Sequence, residues 1–471
     1  MARDITQDER ELVNELIRRA RVAMSEVEHY SQQQLDRLCQ SIGWYTSNEE
    51  SFTRLAQMGV DESGIGDRAG RPGKRFKIHG ILRDALRQKS TGIVEELPEK
   101  GIVKYAKPAG VIASLIPMTN PALTPPVTGI NAAKARDAVI FTPHPRTKET
   151  TAAMTTLMRS ACKAVGAPED LFQCIQEPSI AVTEYLMEAC DLTMATGGKP
   201  MVKAAYSSGR PAYGVGAGNS SIVIDETADI EIAAQNTRIS KTSDFGSGCS
   251  ADGNIIIQKS IYDQMVAALE AEGGYLCNDE EKALLEKAMW DEKGNRTFST
   301  IACCPQQTAE VAGFNIPQDR KFLMVYNQGQ IGPEHKFSKE KLTTVMALYH
   351  FDNFSDALTI VQDIYQTGGK GHSCGIYSHS DENIDALARL APVSRMMVRQ
   401  PQSKANAGSY TNGMPMTSSL GCGVWGGNIT NENVSLKHFM NYTWVSRPIA
   451  EDKPREEDLF GEFYNTSLEC S

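Results

Sequence analysis

From residue 101 onward the chain alternates between two kinds of segment, and this alternation limits the fold more than any other feature. Short apolar runs such as AVIFTP (138–143), DLTMATGG (191–198) and SIVID (221–225) are each followed by a longer amphipathic stretch: 147–165, KPMVKAAYSS and Ile230 to Lys241 respectively. A run near 171–175 leads in the same way to a helical pattern at 179–189, and a helix is predicted at 122–135. A strand that must pass through a helix before the next strand pairs in parallel, and a parallel sheet has to be covered on both faces. The series resumes after Cys249 with strands predicted at 254–258, 321–327, 343–351, GIYS and RMMVRQ, and helices at 260–271, 279–290, 354–367 and 381–390. The predicted fold class is therefore α/β, with two units each built on a parallel sheet.

The segment before this alternation reads differently. Residues 6–60 are helical in pattern, with Thr6 and Glu9, then Ser31 and Gln34, spaced as capping boxes. GVDESGIGDRAGRPGKR (59–75) reads as a glycine-rich loop, and a further helix is expected at about 75–88. GIVKYAKPAGVIASLIP (101–117) forms two extended runs around a Lys-Pro-Ala-Gly turn. The hydrophobic fraction of 41% and charged fraction of 23% are those of a soluble protein with large cores. A net charge of −10 without a Lys/Arg stripe argues against nucleic acid or an anionic membrane as partner. No apolar run approaches the roughly 20 residues that span a bilayer, and the polar N-terminus does not read as a secretory signal. The eleven cysteines are irregularly spaced and include no C-x-x-C, so free thiols in a reducing cytoplasm are expected, with no metal site and no disulfide.

Five stretches carry chemistry-bearing residues. KTSDFGSGCSADGN (241–254) sets Cys249 among small residues at the bend between a helix and a strand. The helix before it presents a negative dipole end, so activation of the thiol has to come from elsewhere, for instance a bound cationic ring. TMATGGKPMVKAA (193–205) is either a phosphate cradle at a helix N-terminus or an ordinary strand-to-helix turn. YGVGAGNSS (213–221) is glycine-rich and has no carboxylate. PMTNP (117–121) fixes Asn120, a neutral amide able to donate to an oxyanion, although Asn before Pro is also a common turn. GKGHSCG (369–375) places His372 and Cys374 two apart on a strand, on the same side, so a nucleophile–base pair is conceivable beside a purely structural role.

Taken in order, YAKPAGVIASLIPMTNP, FTPHPRTKETT, ATGGKPMVKAAYSSGRPAYGVGAGN, the Cys249 segment, EKLTTVMALYHF and LGCGVWGGNITNENVSLKHFMN resemble the aldehyde dehydrogenase superfamily, and within it the CoA-acylating branch, over roughly residues 5–450. The resemblance implies two parallel-sheet domains with a small oligomerisation hairpin: a nucleotide-binding domain at 1–242 with oligomerisation strands near 101–115, a catalytic domain at 243–430, and a tail at 431–471. It implies Cys249 as nucleophile and Asn120 as oxyanion donor together with the Cys249 N–H. Thr196, Gly197 and Gly198 would lie under a pyrophosphate, His144 at the adenosine ribose, Arg146 near a 2′-phosphate or in solvent, and Glu340 at the nicotinamide ribose. NAD or NADP is the implied cofactor and coenzyme A the co-substrate. Hydrolytic members carry a Glu where Gly214 stands, so the acyl group is expected to leave to a thiol instead of water.

The implied activity is reversible NAD(P)-dependent conversion of a short, anionic aldehyde to its acyl-CoA. Sulfoacetaldehyde leads, with succinate semialdehyde and acetaldehyde behind it; the segment DFGSGCSADGN departs from the branch's more usual DNG-x-x-C-S-S-E and bears on this choice. An anionic tail needs a cationic donor, for which Lys404, Arg399 and Arg210 are candidates beside solvated or structural roles. A hydrolytic dehydrogenase and a non-catalytic binding or shell-associated protein are the other classes. A homodimer or homotetramer is expected.

Overall fold

The computed structural model describes residues 4–465; Cys470 lies outside them. Fifteen strands follow one another in chain order: β1 (Ile93–Leu97), β2 (Ile102–Pro108), β3 (Val111–Ile116), β4 (Ala138–Pro143), β5 (Phe172–Cys174), β6 (Leu192–Thr196), β7 (Ala212–Val215), β8 (Ser221–Ile224), β9 (Asn254–Gln258), β10 (Gly274–Cys277), β11 (Phe322–Tyr326), β12 (Val345–Phe351), β13 (Cys374–Tyr377), β14 (Met396–Val398) and β15 (Met440–Ser446). They form a five-stranded sheet of order β5-β4-β3-β6-β7, a seven-stranded sheet of order β10-β11-β12-β9-β8-β13-β14, and a three-stranded sheet β1-β2-β15. Every pairing in the two larger sheets is parallel. The small sheet is antiparallel.

The burial pattern explains why these sequences make these sheets. All of β3, β4 and β8 is buried, as expected of strands covered by helices on both faces. In the seven-stranded sheet Ile222, Ile224, Ile255 and Ile257 enter one core, while Val223 and Ile256 enter another on the opposite face. Two-residue periodicity thus sorts one isoleucine-rich run into two hydrophobic layers. The N-terminal helices Gln7–Val27, Gln32–Ser47 and Glu49–Ser63 pack on the five-stranded sheet and its wholly buried helix Thr124–Ala135. Both capping boxes form, at Thr6 and at Ser31.

Several elements differ from expectation. The third helix runs on to Ser63, into the stretch read as loop, and ends where Gly64 takes φ 74°. β1, β7, β10 and the helix Pro305–Ala312 are additional. β8 and the helix Ile230–Thr242, assigned from sequence to the first unit (1–242), belong with the seven-stranded sheet. The reason is that the chain leaves the first sheet at β7 and enters the second at β8 through 216–220 with no intervening helix, so the division falls ahead of residue 221.

Candidate active site

That single crossing decides where side chains meet. Asn120 and His144 follow β3 and β4, and Thr196 ends β6 with Gly197 and Gly198 after it, all at the carboxyl edge of the five-stranded sheet. Gly218, Cys249, Glu340 and His372 precede β8, β9, β12 and β13, at the amino edge of the seven-stranded sheet. The four segments of this second group converge. A Cβ on Gly218 would lie 1.9 Å from the Cys249 carbonyl oxygen, so only glycine allows that approach. The Gly218 N–H donates to the Glu340 carboxylate at 3.1 Å. His372 Nε2 stands 3.0 Å from Cys249 Sγ.

The nucleophile loop is held in a rarely populated backbone conformation. Asp244, Phe245 and Gly246 take φ of 49°, 50° and 69° in succession. A Cβ at Gly246 would come 2.4 Å from the Thr343 carbonyl oxygen. The strain is offset by hydrogen bonds to the Asp244 carboxylate, which accepts from Arg71 at 3.0 and 3.1 Å, Lys74 at 2.6 Å, the Asp67 N–H at 2.8 Å and Ser247 Oγ at 2.7 Å. Burial pushes that carboxyl up, but the Lys74 and Arg71 charges outweigh it and hold it down at about 2. Lys74 also donates to Asn120 Oδ1 at 2.7 Å. The ammonium therefore fixes which way the amide is turned, and it joins the oxyanion-donor candidate to the loop that carries Cys249. Lys74, Arg71 and Asp244 were not singled out from sequence; only the fold brings residues 71–74 to residue 244.

The His372–Cys374 pair that the spacing makes conceivable does not form. The structure separates them: Cys374 is fully buried in β13, its thiol pushed up to about 12 by burial, while His372 lies ahead of the strand and meets Cys249. No sequence spacing signals a pair so far apart in the chain. Ser373 Oγ contacts His372 Nδ1 at 2.8 Å and accepts from Asn406 Nδ2 at 3.0 Å, and Arg395 donates to the His372 carbonyl at 3.0 Å. This leaves Nε2 as the ring atom facing sulfur. Burial, then Arg395, lowers the His372 pKa to about 3. Burial, then the Glu340 charge, pushes the Cys249 thiol up to about 12. Burial raises the Glu340 carboxyl to about 7, against the Gly218 N–H that stabilises its ionised form. The resting pair is thus a neutral thiol beside a neutral imidazole.

Gly214 stands in a crowded place. It lies within β7, and a Cβ there would touch Val202 and Tyr206 at 2.8 and 2.9 Å. A glutamate here would fit only if the Val202 and Tyr206 side chains moved aside. Gly218 approaches the Cys249 backbone; residues 216–218 carry no carboxylate, and the Glu340 carboxylate is tethered to the Gly218 N–H.

At the carboxyl edge a cavity of about 360 Å³ is lined by Ile116, Thr142, His144, Ile180 and Met201 among others. Such a slot, mostly apolar, suits a flat heteroaromatic ring. Beside it the helix Lys199–Ser207 begins at Gly198 with no side-chain cap, leaving first-turn amides for a phosphate. Glycine at 197 keeps this approach low, since a Cβ would meet Met201 Sδ at 2.7 Å. Thr196 Oγ1 lies 3.0 Å from Ser419 Oγ. Arg146 is exposed, stacked 4.1 Å over Phe298, outside the cavity lining. The residues present therefore fit a dinucleotide. Arg399 and Arg210 are engaged with the carbonyls of Ser378 and Glu188, whereas Lys404 is exposed. Among the described residues no group of three His, Cys, Asp or Glu side chains is placed to hold a metal ion, and no helix is long and apolar enough to cross a membrane.

Known proteins share this arrangement over nearly the full chain. The sequence profile of the aldehyde dehydrogenase family matches residues 2–276. A sulfoacetaldehyde dehydrogenase of Acholeplasma sp. is 41% identical over 452 residues, 95% of this chain and 93% of that protein. A sulfoacetaldehyde dehydrogenase (acylating) of Bilophila wadsworthia is 39% identical over 96% of this chain and 98% of its own length. The crystal structure of an acetylating aldehyde dehydrogenase from Geobacillus thermoglucosidasius superposes with a TM-score of 0.91 at 34% identity, covering 96% of this chain and all of that one. A cysteine at the amino edge of one parallel sheet, an apolar slot at the carboxyl edge of the other and matches of this extent lead to one assignment: the chain belongs to the aldehyde dehydrogenase family.

Proposed function

We propose that this protein converts sulfoacetaldehyde to its CoA thioester, reversibly, with NAD or NADP as hydride acceptor. The observation that carries the reading is Cys249 Sγ held 3.0 Å from His372 Nε2, in a loop tied through Asp244 and Lys74 to Asn120. The names of the most similar relatives support the choice of aldehyde.

Cys249 is the nucleophile. Its Sγ proton leaves to solvent by way of His372 Nε2, the thiolate so formed adds to the aldehyde carbon, and the carbonyl electron pair moves onto oxygen. Asn120 Nδ2 and the Cys249 N–H hold that oxyanion. His144, Thr196, Gly197 and Gly198 bind the dinucleotide and Glu340 its nicotinamide ribose, with Arg146 at the rim as the partner for a 2′-phosphate. When bound, the nicotinamide supplies the hydride acceptor and a positive charge near the sulfur. Loss of hydride from the carbon leaves the acyl group on Sγ as a thioester. The CoA thiol then attacks that carbonyl, the Sγ–acyl bond breaks, and the proton from the CoA thiol passes to Cys249 by way of His372 Nε2. No carboxylate at 216–218 is available to activate water on the thioester, which favours release to a thiol.

In this reading the stretch ahead of residue 221 is the nucleotide-binding domain, the seven-stranded sheet is the catalytic domain, and the protein works in the cytoplasm. The β1-β2-β15 sheet, with Tyr105, Tyr442 and Trp444 exposed, is the contact through which a homodimer or homotetramer forms, which light scattering checks. NAD(P)H formation is the direct test, run with sulfoacetaldehyde, succinate semialdehyde and acetaldehyde, each cofactor, with and without CoA. Turnover that needs CoA and is best with sulfoacetaldehyde is expected. Equal turnover without CoA would make the enzyme hydrolytic, and none with any aldehyde would remove the enzymatic reading.

A further inference from the structure

Next to Asn120 the cations outnumber the acids. Arg71 and Lys74 share one carboxylate, Asp244. Lys77 donates to the Ala407 and Gly408 carbonyls at 2.9 and 2.7 Å, which docks the helix Arg75–Leu86 against the turn after the helix Gln402–Ala405. That short helix is stitched on its other side to the helix Ile230–Thr242, through Ser403 N–H to Ser240 Oγ at 3.0 Å and Ser403 Oγ to the Ser240 carbonyl at 2.9 Å. Lys404 is held between these two anchors. Its side chain is exposed and makes no hydrogen bond or ion pair with any described residue. Lys74 has three N–H donors and uses two, on Asn120 and Asp244. Met118, Thr119 and Asn120 are half-buried, so solvent reaches the chain at this point.

The ammonium groups here oppose one another's protonation. Burial, followed by the Lys404 charge, lowers the Lys77 pKa to about 8. Burial lowers those of Lys74 and Lys404 as well, with Asp244 opposing it in both cases. An exposed ammonium that is nonetheless poorly solvated belongs to a cleft wall. An anion placed there would gain two charge-assisted hydrogen bonds and relieve the repulsion.

We propose that Lys74 and Lys404 form the subsite for the negatively charged end of the aldehyde, a sulfonate one methylene from the carbonyl carbon, with the third N–H of Lys74 and the ammonium of Lys404 as donors. The short spacer follows from Lys74, which lies in hydrogen-bond contact with the amide that holds the carbonyl oxygen, so the anion and the carbonyl are bound close together. A longer semialdehyde would have to fold its carboxylate back to reach the same donors. The inference rests on the anionic-aldehyde reading given above.

The test compares kcat/KM for sulfoacetaldehyde, succinate semialdehyde and acetaldehyde in the wild type, Lys404→Met and Lys404→Arg, with ethanesulfonate as a competitive inhibitor. In Lys404→Met the sulfoacetaldehyde-to-acetaldehyde ratio is expected to fall about tenfold or more, the worth of one hydrogen bond to a charged group, and ethanesulfonate inhibition weakens in parallel. Lys404→Arg retains most of the ratio. A ratio unchanged in Lys404→Met, or lost equally in Lys404→Arg, overturns the subsite while leaving the reaction intact. A wild type that acylates CoA from acetaldehyde but not from sulfoacetaldehyde overturns the substrate reading itself, and a preference for succinate semialdehyde moves the anion further from the carbonyl than this geometry allows.

Discussion

At Cys249 burial and the Glu340 carboxylate both oppose ionisation, and the imidazole beside the sulfur is itself held neutral. The thiol of the cofactor-free protein is therefore expected to react slowly with iodoacetamide at pH 7 and progressively faster as pH rises toward 10, because its pKa stands at about 12. Binding of NAD⁺ should speed alkylation at neutral pH; mass-spectrometric quantification of the Cys249 peptide reads both. His372, with its pKa at about 3, stays neutral above pH 5 and contributes no acidic limb to the rate between pH 5 and 7. Asn120→Ala is expected to lower kcat about a hundredfold or more, as loss of one oxyanion donor does elsewhere, with the melting temperature little changed. Cys249 and Asn120 could be picked out from their neighbours in sequence, glycines and serines around one and prolines around the other. His372 could not be assigned its partner, because the contact joins two loops from different strands of one sheet, and Cys374, the nearer thiol in sequence, is buried.

The element on which this site depends is the left-handed turn at 244–246. It persists because the Asp244 carboxylate accepts from four groups, Arg71, Lys74, Ser247 and the Asp67 N–H. Asp244→Asn leaves the buried Arg71 and the half-buried Lys74 without their carboxylate and is expected to cost about 3 kcal/mol of stability at pH 7, measured by urea titration. Because the folded-state pKa, at about 2, lies below the ordinary aspartate value, the wild-type advantage is complete above about pH 4 and is lost as pH falls through about 2. The difference between wild type and variant should narrow over that window. The sequence signalled this turn only through its glycines; that Asp244 and Phe245 also adopt positive φ depends on partners more than 150 residues away. Longer periodic elements were readable almost to their ends, as at Ala138–Pro143 and Phe354–Thr367. Short strands such as AYGV and GYLC were not, because four residues with a glycine among them do not establish a period.

At the scale of the molecule, function follows from how the two parallel sheets are joined. A strand-to-strand crossing without a helix joins the sheet whose carboxyl edge carries the apolar slot to the sheet whose amino edge carries the thiol, and the candidate site residues come from seven separate segments. Alternating strands and helices announced both sheets, but not that β8 belongs to the second, since a continuous alternation has no mark at the switch. The central claim is that the sulfur of Cys249 carries the acyl group between oxidation and transfer. Incubation with sulfoacetaldehyde and NAD(P)⁺ in the absence of CoA, followed by peptide mass spectrometry, tests it most directly. The account predicts a sulfoacetyl group on the Cys249 peptide that CoA discharges quickly and water slowly, and none in Cys249→Ala. An acyl group found on another cysteine, or one that water removes as fast as CoA does, would contradict it.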